Sequence, residues 1–336
     1  MVSTEYKKLA LRQKQSLPLE GKIILTQKRI QDWYDHYDGQ VYVSFSGGKD
    51  STVLLDIVRN TPGVYDVPAV FVNTGLEYPE IQQFVRQQEN VTILRPEMRF
   101  DEVIKKYGYP LISKKVANTV SGAKPGNVRH QMLKGEFKNP QTGEPSRFNC
   151  QKWAFMLDVP FKVSDMCCNV MKKAPAKKYE KETGRKPILG LMAAESSERK
   201  KSYLQTGCNA YDKKSPQSQP MAFWTEQDVL EYLYTKKIPY ASVYGEIKQA
   251  DDGTYYTTGA NRTGCIFCGF GCHLEKDGEK RFVNLKTTHP KQYDFCIKGG
   301  CIDENGMIQP GNGGLGLGMV FDAVKTATDG KIDIEY

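Results

Sequence analysis

The chain has 336 residues, 39% of them hydrophobic and 26% charged, with 47 lysines and arginines against 39 acids for a net charge of +8. That composition supports a sizeable core, at the length of about two domains of roughly 150 residues each, and excludes a disordered or fibrous chain. No run of about 18 apolar residues occurs, which excludes a membrane-spanning helix. The basic balance points to an anionic partner without choosing between a small nucleotide and a nucleic acid.

In chain order, the N-terminal MVSTEYKKLALRQKQ is polar and basic with no apolar signal core, so a cytoplasmic chain with no membrane partner is expected. In that compartment nine cysteines argue for free thiols or metal ligands over disulfides. Across residues 20–38, Ile23, Ile24, Ile30 and Trp33-Tyr34 recur at helical spacing, and Gly39 ends the run. VYVSF (41–45) is short and β-rich, a buried strand; SGGKDS (46–51) follows it, and STVLLDIVRN reads as a helix. VPAVFV (67–72) is a second strand, NTGLEYPE a turn, PEIQQFVRQQ a helix with Pro79 in its first turn, and VTILRP (91–96) a third strand. This alternation predicts an α/β fold, a doubly wound parallel sheet with flanking helices and right-handed crossovers.

Residues 110–150 break the rhythm: they are rich in Lys, Arg, Asn, Gly and Pro, a basic insertion that is either a mobile loop or a small helical body. KPILGLMAAES (186–196) restores a strand and a polar turn, and TEQDVLEYLYTKK is a helix with Thr225 as its N-cap. Beyond Tyr244 glycine-rich turns and cysteines dominate, so the chain is read as a nucleotide-binding domain over 1–244 carrying the insertion, and a cysteine-containing region over 245–336.

A strand that feeds two glycines into a helix makes a phosphate cradle: backbone N–H groups converge on the anion, and the helix end adds partial positive charge. Gly47 and Gly48 open the loop, Lys49 adds a cation, and Ser46 and Ser51 add hydroxyls; Asp50 either orients Mg²⁺ or caps the helix. Neither the Walker A pattern nor G-x-G-x-x-G is present. SGGKDS in this setting resembles the pyrophosphate loop of the ATP pyrophosphatase superfamily, whose adenine nucleotide alpha hydrolase-like fold cleaves ATP between the α and β phosphates. NTGLEYPE resembles the D-T-G-x-x-x-P-E turn of sulfonucleotide reductases, with Asn73 in place of Asp. That likeness implies adenosine contacts from Asn73, Thr74 and Gly75 and puts a metal role for position 73 in doubt.

Cys167-Cys168 and Cys265-x-x-Cys268 form a pair of pairs, a four-ligand set for which zinc and a [4Fe–4S] cluster both fit. An adjacent Cys-Cys strains coordination of one ion and sits more easily across a larger cluster. CCNVMKKAPAKKYEKETGRKPILGLMAAESSERKKSYL and TGCIFCGFGC resemble segments of the phosphoadenosine phosphosulfate (PAPS) reductase family. The resemblance implies a [4Fe–4S] ligand set of Cys167, Cys168, Cys265 and Cys268. It also aims Arg199 at the nucleotide phosphates or a sulfate, a task its bidentate fork suits. Cys272 either replaces one ligand or stands free as a sulfur carrier. Lys172 and Lys173 are candidates to line the same site, and Arg262 to bond cluster sulfurs or an anion.

The reductases carry a catalytic cysteine in an E-C-G-x-H tail, a motif with no match after Cys301, and they typically have an altered pyrophosphate loop. An intact loop with CC…CxxC resembles the sulfur-inserting branch of the superfamily, including the DNA phosphorothioation enzyme. The expectation is therefore an ATP-dependent adenylating sulfurtransferase. Its catalytic residues are Lys49, Asp50, Arg199 and Cys272, its acceptor a nucleotide or nucleic acid, and it works with a sulfur-donor or reductant protein. A sulfonucleotide reductase that releases sulfite is the first alternative; a non-catalytic binding module with a structural metal is the second.

Overall fold

A computed structural model describes residues 3–336. They form two compact units, each assembled from separated stretches. The first comprises the chain up to Asn73, Glu77–Arg95 and Pro175–Gly264; the second comprises Thr74–Leu76, Pro96–Ala174 and Cys265–Tyr336. The expected single cut near residue 244 gives way to an interleaved division. Residues 96–174 join the C-terminal cysteine region because the short strand Leu111–Ile112 pairs in parallel with Gly269–Phe270.

The first unit is built on a six-stranded sheet in the order Val91–Leu94, Ala69–Val72, Val41–Ser44, Lys186–Leu189, Gln217–Ser218, Asn209–Ala210. All neighbours are parallel except the last pair. Consecutive residues of the central strands, Val41-Tyr42-Val43 and Ala69-Val70-Phe71, are all buried, so both faces of the sheet are covered. Helix Lys49–Arg59 buries Val53, Leu54, Ile57 and Val58, and helix Leu19–His36 buries Ile30 and Trp33. The Trp224 indole donates to Thr26 Oγ1 at 2.8 Å, and the Lys22 ammonium meets Asp228 at 2.6 Å, both in the interior.

Val41–Ser44 lies between Ala69–Val72, reached by the next crossover, and Lys186–Leu189, reached much later, so the winding reverses there. Such a switch point opens a crevice at the carboxyl ends of the strands, which is where SGGKDS follows Phe45. Helix Thr4–Gln15, among those the sequence reading did not call, is capped by Ser3 Oγ, which accepts from the Tyr6 N–H at 3.2 Å.

In the second unit the basic insertion is a small helical body rather than a loop: helices Lys114–Ser121 and Val128–Lys134 and the 3₁₀ segment Gln151–Leu157. Ser113 and Asn127 cap the two helices through their side chains. The C-terminal part adds a hairpin, Gly300–Ile302 with Ile308–Pro310, and helices Arg281–Thr288, Pro290–Ile297 and Leu317–Ala327. The Tyr109 hydroxyl ties the parts together by donating to the Leu315 carbonyl at 2.7 Å. Among the described residues no helix is long and apolar enough to cross a membrane.

Candidate functional site

Gly47 turns the chain out of the strand at φ +71, and a Cβ there would come within 2.8 Å of Ile81 Cγ2 and of Val85 Cγ2. Only glycine fits both the backbone and the space. Gly48 is the N-cap of helix Lys49–Arg59, at an ordinary φ of −77. Hydroxyls brace the turn: Ser46 Oγ and Ser51 Oγ lie 3.0 Å apart, the Ser46 N–H donates to Ser51 Oγ at 3.2 Å, and the Gly48 N–H donates to Ser46 Oγ at 3.3 Å. The Ser51 and Thr52 hydroxyls both donate to the Gly48 carbonyl at 3.0 Å.

Lys49 is buried; its Nζ lies 3.2 Å from Glu226 Oε1 and 5.3 Å from the centre of the Tyr244 ring. The Tyr244 phenol shares a short hydrogen bond with Thr263, and the backbone N–H of Lys49 acts to hold its pKa down. Burial raises the phenol to about 12, so it is a neutral hydroxyl at the mouth of the loop.

Asp50 makes no cap bond, which corrects that half of the expectation. Burial pushes its carboxyl above the usual range, and Lys49, Arg262 and Arg199 pull it back. Gly190 follows the strand Lys186–Leu189 so closely packed that a Cβ would lie 3.1 Å from the Asp50 carbonyl. Arg199 donates its N–H to Ser196 Oγ at 3.2 Å and its guanidinium to Glu195. Arg262 reaches the other oxygen of Glu195 at 2.9 Å, and the Met192 N–H holds that carboxylate at 2.9 Å. Burial lowers the pKa of Arg199, and Arg262 adds to the effect. Arg262, read from the sequence as bonding cluster sulfurs or an anion, lies in the loop's own unit, tied to Glu195.

Sequence reasoning missed Tyr244, Thr263, Glu226, Glu195 and Gly190. Of these only Glu195, inside the quoted ESSER turn, carried a local signal.

Asn73 ends the strand Ala69–Val72 with its N–H on the Leu94 carbonyl at 2.9 Å. Thr74 is buried and its Oγ1 accepts the Leu76 N–H at 3.2 Å; Gly75 stands at φ +75 with open space where a Cβ would be.

In the second unit Cys167 and Cys168 occupy the one-turn helix Met166–Cys168, started by Ser164 Oγ accepting the Met166 N–H at 3.1 Å. A π-helical stretch, Asn169–Lys173, follows, a form often found at functional sites. The Cys167 thiol is the donor of the pair and is held well above its ordinary pKa by that bond and by burial. The same bond, with Lys114 and Lys172, brings Cys168 down to about 6. Cys265 and Cys268 close a turn in which the Cys268 N–H donates to the Cys265 carbonyl at 3.1 Å. Burial raises Cys268, and the Phe270 backbone N–H and Arg281 oppose it.

Cys168, Cys268 and Cys265 all act electrostatically on Cys167. Even so, among the described residues no three His, Cys, Asp or Glu side chains are gathered closely enough for a single metal ion. Arg281 braces the turn, donating to the Cys268 carbonyl at 2.5 Å while Glu275 holds its Nε at 2.7 Å.

Cys272 is different. It is buried, its thiol donates to the Gly269 carbonyl at 2.9 Å, and burial pushes it up to about 12.

The sequence matches the phosphoadenosine phosphosulfate reductase domain over residues 40–118 and 128–270, a span that takes in the loop, the arginines and both cysteine pairs. The chain belongs to the PAPS reductase family. An uncharacterized protein of Methanocaldococcus jannaschii is 25% identical over 244 residues, 71% of this chain. The chain spans 38% of the length of that relative. A PAPS reductase of Candida auris, solved as a phosphate complex, is similar in structure at a TM-score of 0.38 and 17% identity, covering 76% of this chain and 98% of its own.

The chemistry of the donor set suits a soft, thiolate-binding centre of zinc or iron and sulfur. Four soft thiols come from two segments, with Lys114 and Lys172 beside Cys168 to offset thiolate charge.

Proposed function

We propose that this PAPS reductase-family protein binds ATP on Ser46–Ser51, adenylates an acceptor oxygen and supports sulfur transfer with a [4Fe–4S] cluster. The observation that carries the reading is the intact loop. A glycine held at φ +71 delivers the chain to a helix N-terminus beside a buried lysine, and its hydroxyls already brace the turn.

In this reading the loop is charge-neutralised from within before nucleotide arrives. Glu226 holds Lys49, and Glu195 holds Arg199 and Arg262. An incoming polyphosphate exchanges these carboxylates for its own oxygens and takes up the N–H groups of the loop. Asp50, free of any capping duty, would hold the magnesium that accompanies the nucleotide. The acceptor oxygen forms a bond to the α phosphorus as the α–β bridge breaks, and pyrophosphate leaves. Lys49 and the loop amides stabilise the charge on that leaving group as it develops. Arg199 would hold the α phosphate, and Asn73, Thr74 and Gly75 would contact the adenosine. A sulfur nucleophile then displaces AMP from the activated acceptor.

Cys167, Cys168, Cys265 and Cys268 would hold the cluster. When bound, it supplies a site for sulfur or for single-electron chemistry. Cys272, a buried neutral thiol, is better suited to shape the Gly269–Cys272 turn than to carry sulfur.

The second reading is sulfonucleotide reduction, which the description of the matched domain favours. The test of the first is Lys49→Ala. ATP-dependent AMP release falls by about 10²–10³ with the unfolding transition kept, and unchanged turnover sinks the loop assignment. Anaerobic protein carries about four iron and four sulfide per chain, lost in Cys168→Ser; zinc in their place overturns the cluster.

A further inference from the structure

The basic insertion has no task in the chemistry above, yet it concentrates charge. Residues 113–152 hold eight lysines and arginines against two glutamates, so six of the chain's eight net positive charges fall in 40 residues. None of the eight cations forms a salt bridge among the described residues, and most are exposed.

Within this body Phe148 leaves 43% of its surface in solvent. Lys115 Nζ lies 4.8 Å from its ring centre and the Arg147 guanidinium 5.2 Å. The backbone beside the ring is hydrogen-bonded. Ser146 Oγ accepts the Phe148 N–H at 3.2 Å, and the Asn149 amide clamps the Gly135 and Phe137 carbonyls at 3.0 Å each. The exposed ring thus carries two cations, and neither cation forms a salt bridge among the described residues. This arrangement suits a ligand that brings a flat ring and an anion together.

We propose that the surface around Lys115, Arg147 and Phe148 binds single-stranded nucleic acid. A base stacks on the Phe148 ring and the planar Arg147 group, and a flanking phosphate takes up Lys115. A duplex hides its base faces and cannot use the ring, and an acidic peptide would use the charges but leave the ring idle. This deepens the reading above by naming the class of partner that bears the acceptor. It rests on that reading for the chemistry only.

The test is fluorescence anisotropy with a labelled mixed-sequence 12-mer, as DNA and as RNA, over a salt series, with a duplex of the same sequence alongside. Wild-type protein binds the single strand more tightly than the duplex. Phe148→Ala weakens that binding roughly tenfold. Lys115→Gln lowers the slope of log affinity against log salt by roughly 0.7, one phosphate contact, and Arg147→Gln weakens binding through lost stacking. All three side chains are at the surface, and unchanged unfolding curves and ATP turnover certify the variants. Absence of binding at low salt overturns the proposal, and so does Phe148→Ala binding the strand as wild type does. Strand binding without ATP turnover removes the loop reading and leaves this one standing.

Discussion

Gly47→Ala is the sharpest probe of how the loop is built. Left-handed backbone costs a residue with a Cβ about 1–2 kcal/mol. The new methyl also meets Ile81 and Val85 at 2.8 Å, and these side chains are only 2% and 1% exposed and cannot swing away. Overpacking of that kind adds about 1–3 kcal/mol, so the substitution removes about 2–5 kcal/mol from a fold that has roughly 5–15 in all. Gly48→Ala is the control. At φ −77 its Cβ finds Ser46 Oγ at 3.3 Å and the Tyr244 hydroxyl at 3.4 Å, contacts that yield with small shifts. It costs about 1 kcal/mol or less, as a poorer N-cap, but puts a methyl where a phosphate must approach. Urea unfolding followed by circular dichroism, with ATP binding by calorimetry, separates the two: Gly47→Ala loses stability, and Gly48→Ala keeps the fold and loses nucleotide. A Gly47→Ala protein within about 0.5 kcal/mol of wild type would refute the steric argument.

Three further perturbations follow from the geometry. Glu226→Gln removes the competitor for Lys49; Glu226 is 47% exposed, so the pair contributes about 0.2–1 kcal/mol, and calorimetry should give a fall in the ATP dissociation constant of up to about fivefold. Lys22→Ala strands Asp228 in the interior and lowers the unfolding free energy by about 3–5 kcal/mol, whereas an unchanged urea midpoint would mean that water reaches the pair. Burial raises Cys208 to about 11 and Cys272 to about 12, above the 9.0 of an ordinary thiol. Both thiols therefore favour the fold fully below about pH 9 and lose that contribution as pH rises toward 11 and 12. Iodoacetamide at pH 8 should modify the exposed Cys301 and spare both, as read by peptide mass spectrometry.

Much of the first unit was legible because its signals are local. VYVSF, two glycines and a helical run specify strand, turn and helix within twenty residues, and Thr225 does cap its helix, with Asp228 completing the box. The partners of the loop were not legible. Glu226 and Tyr244 reach Lys49 across more than 170 residues, and no spacing rule links them. Asp50 read as either a magnesium holder or a cap, but Gly48 takes the cap position and the carboxyl lies among the charges of Lys49, Arg262, Glu226 and Arg199. The division of the chain was misplaced for a similar reason. The pairing of Leu111–Ile112 with Gly269–Phe270 involves two residues per strand, too short to leave a periodic pattern.

The central claim is that the loop takes ATP and opens it between the α and β phosphates. The most direct measurement is an anaerobic incubation with Mg²⁺ and ATP, adenylylsulfate or PAPS in parallel, with AMP, pyrophosphate and sulfite quantified. The account predicts AMP and pyrophosphate from ATP, lost in Lys49→Ala, and no sulfite. Sulfite from either sulfonucleotide, with ATP left intact, would contradict it and make this protein a reductase.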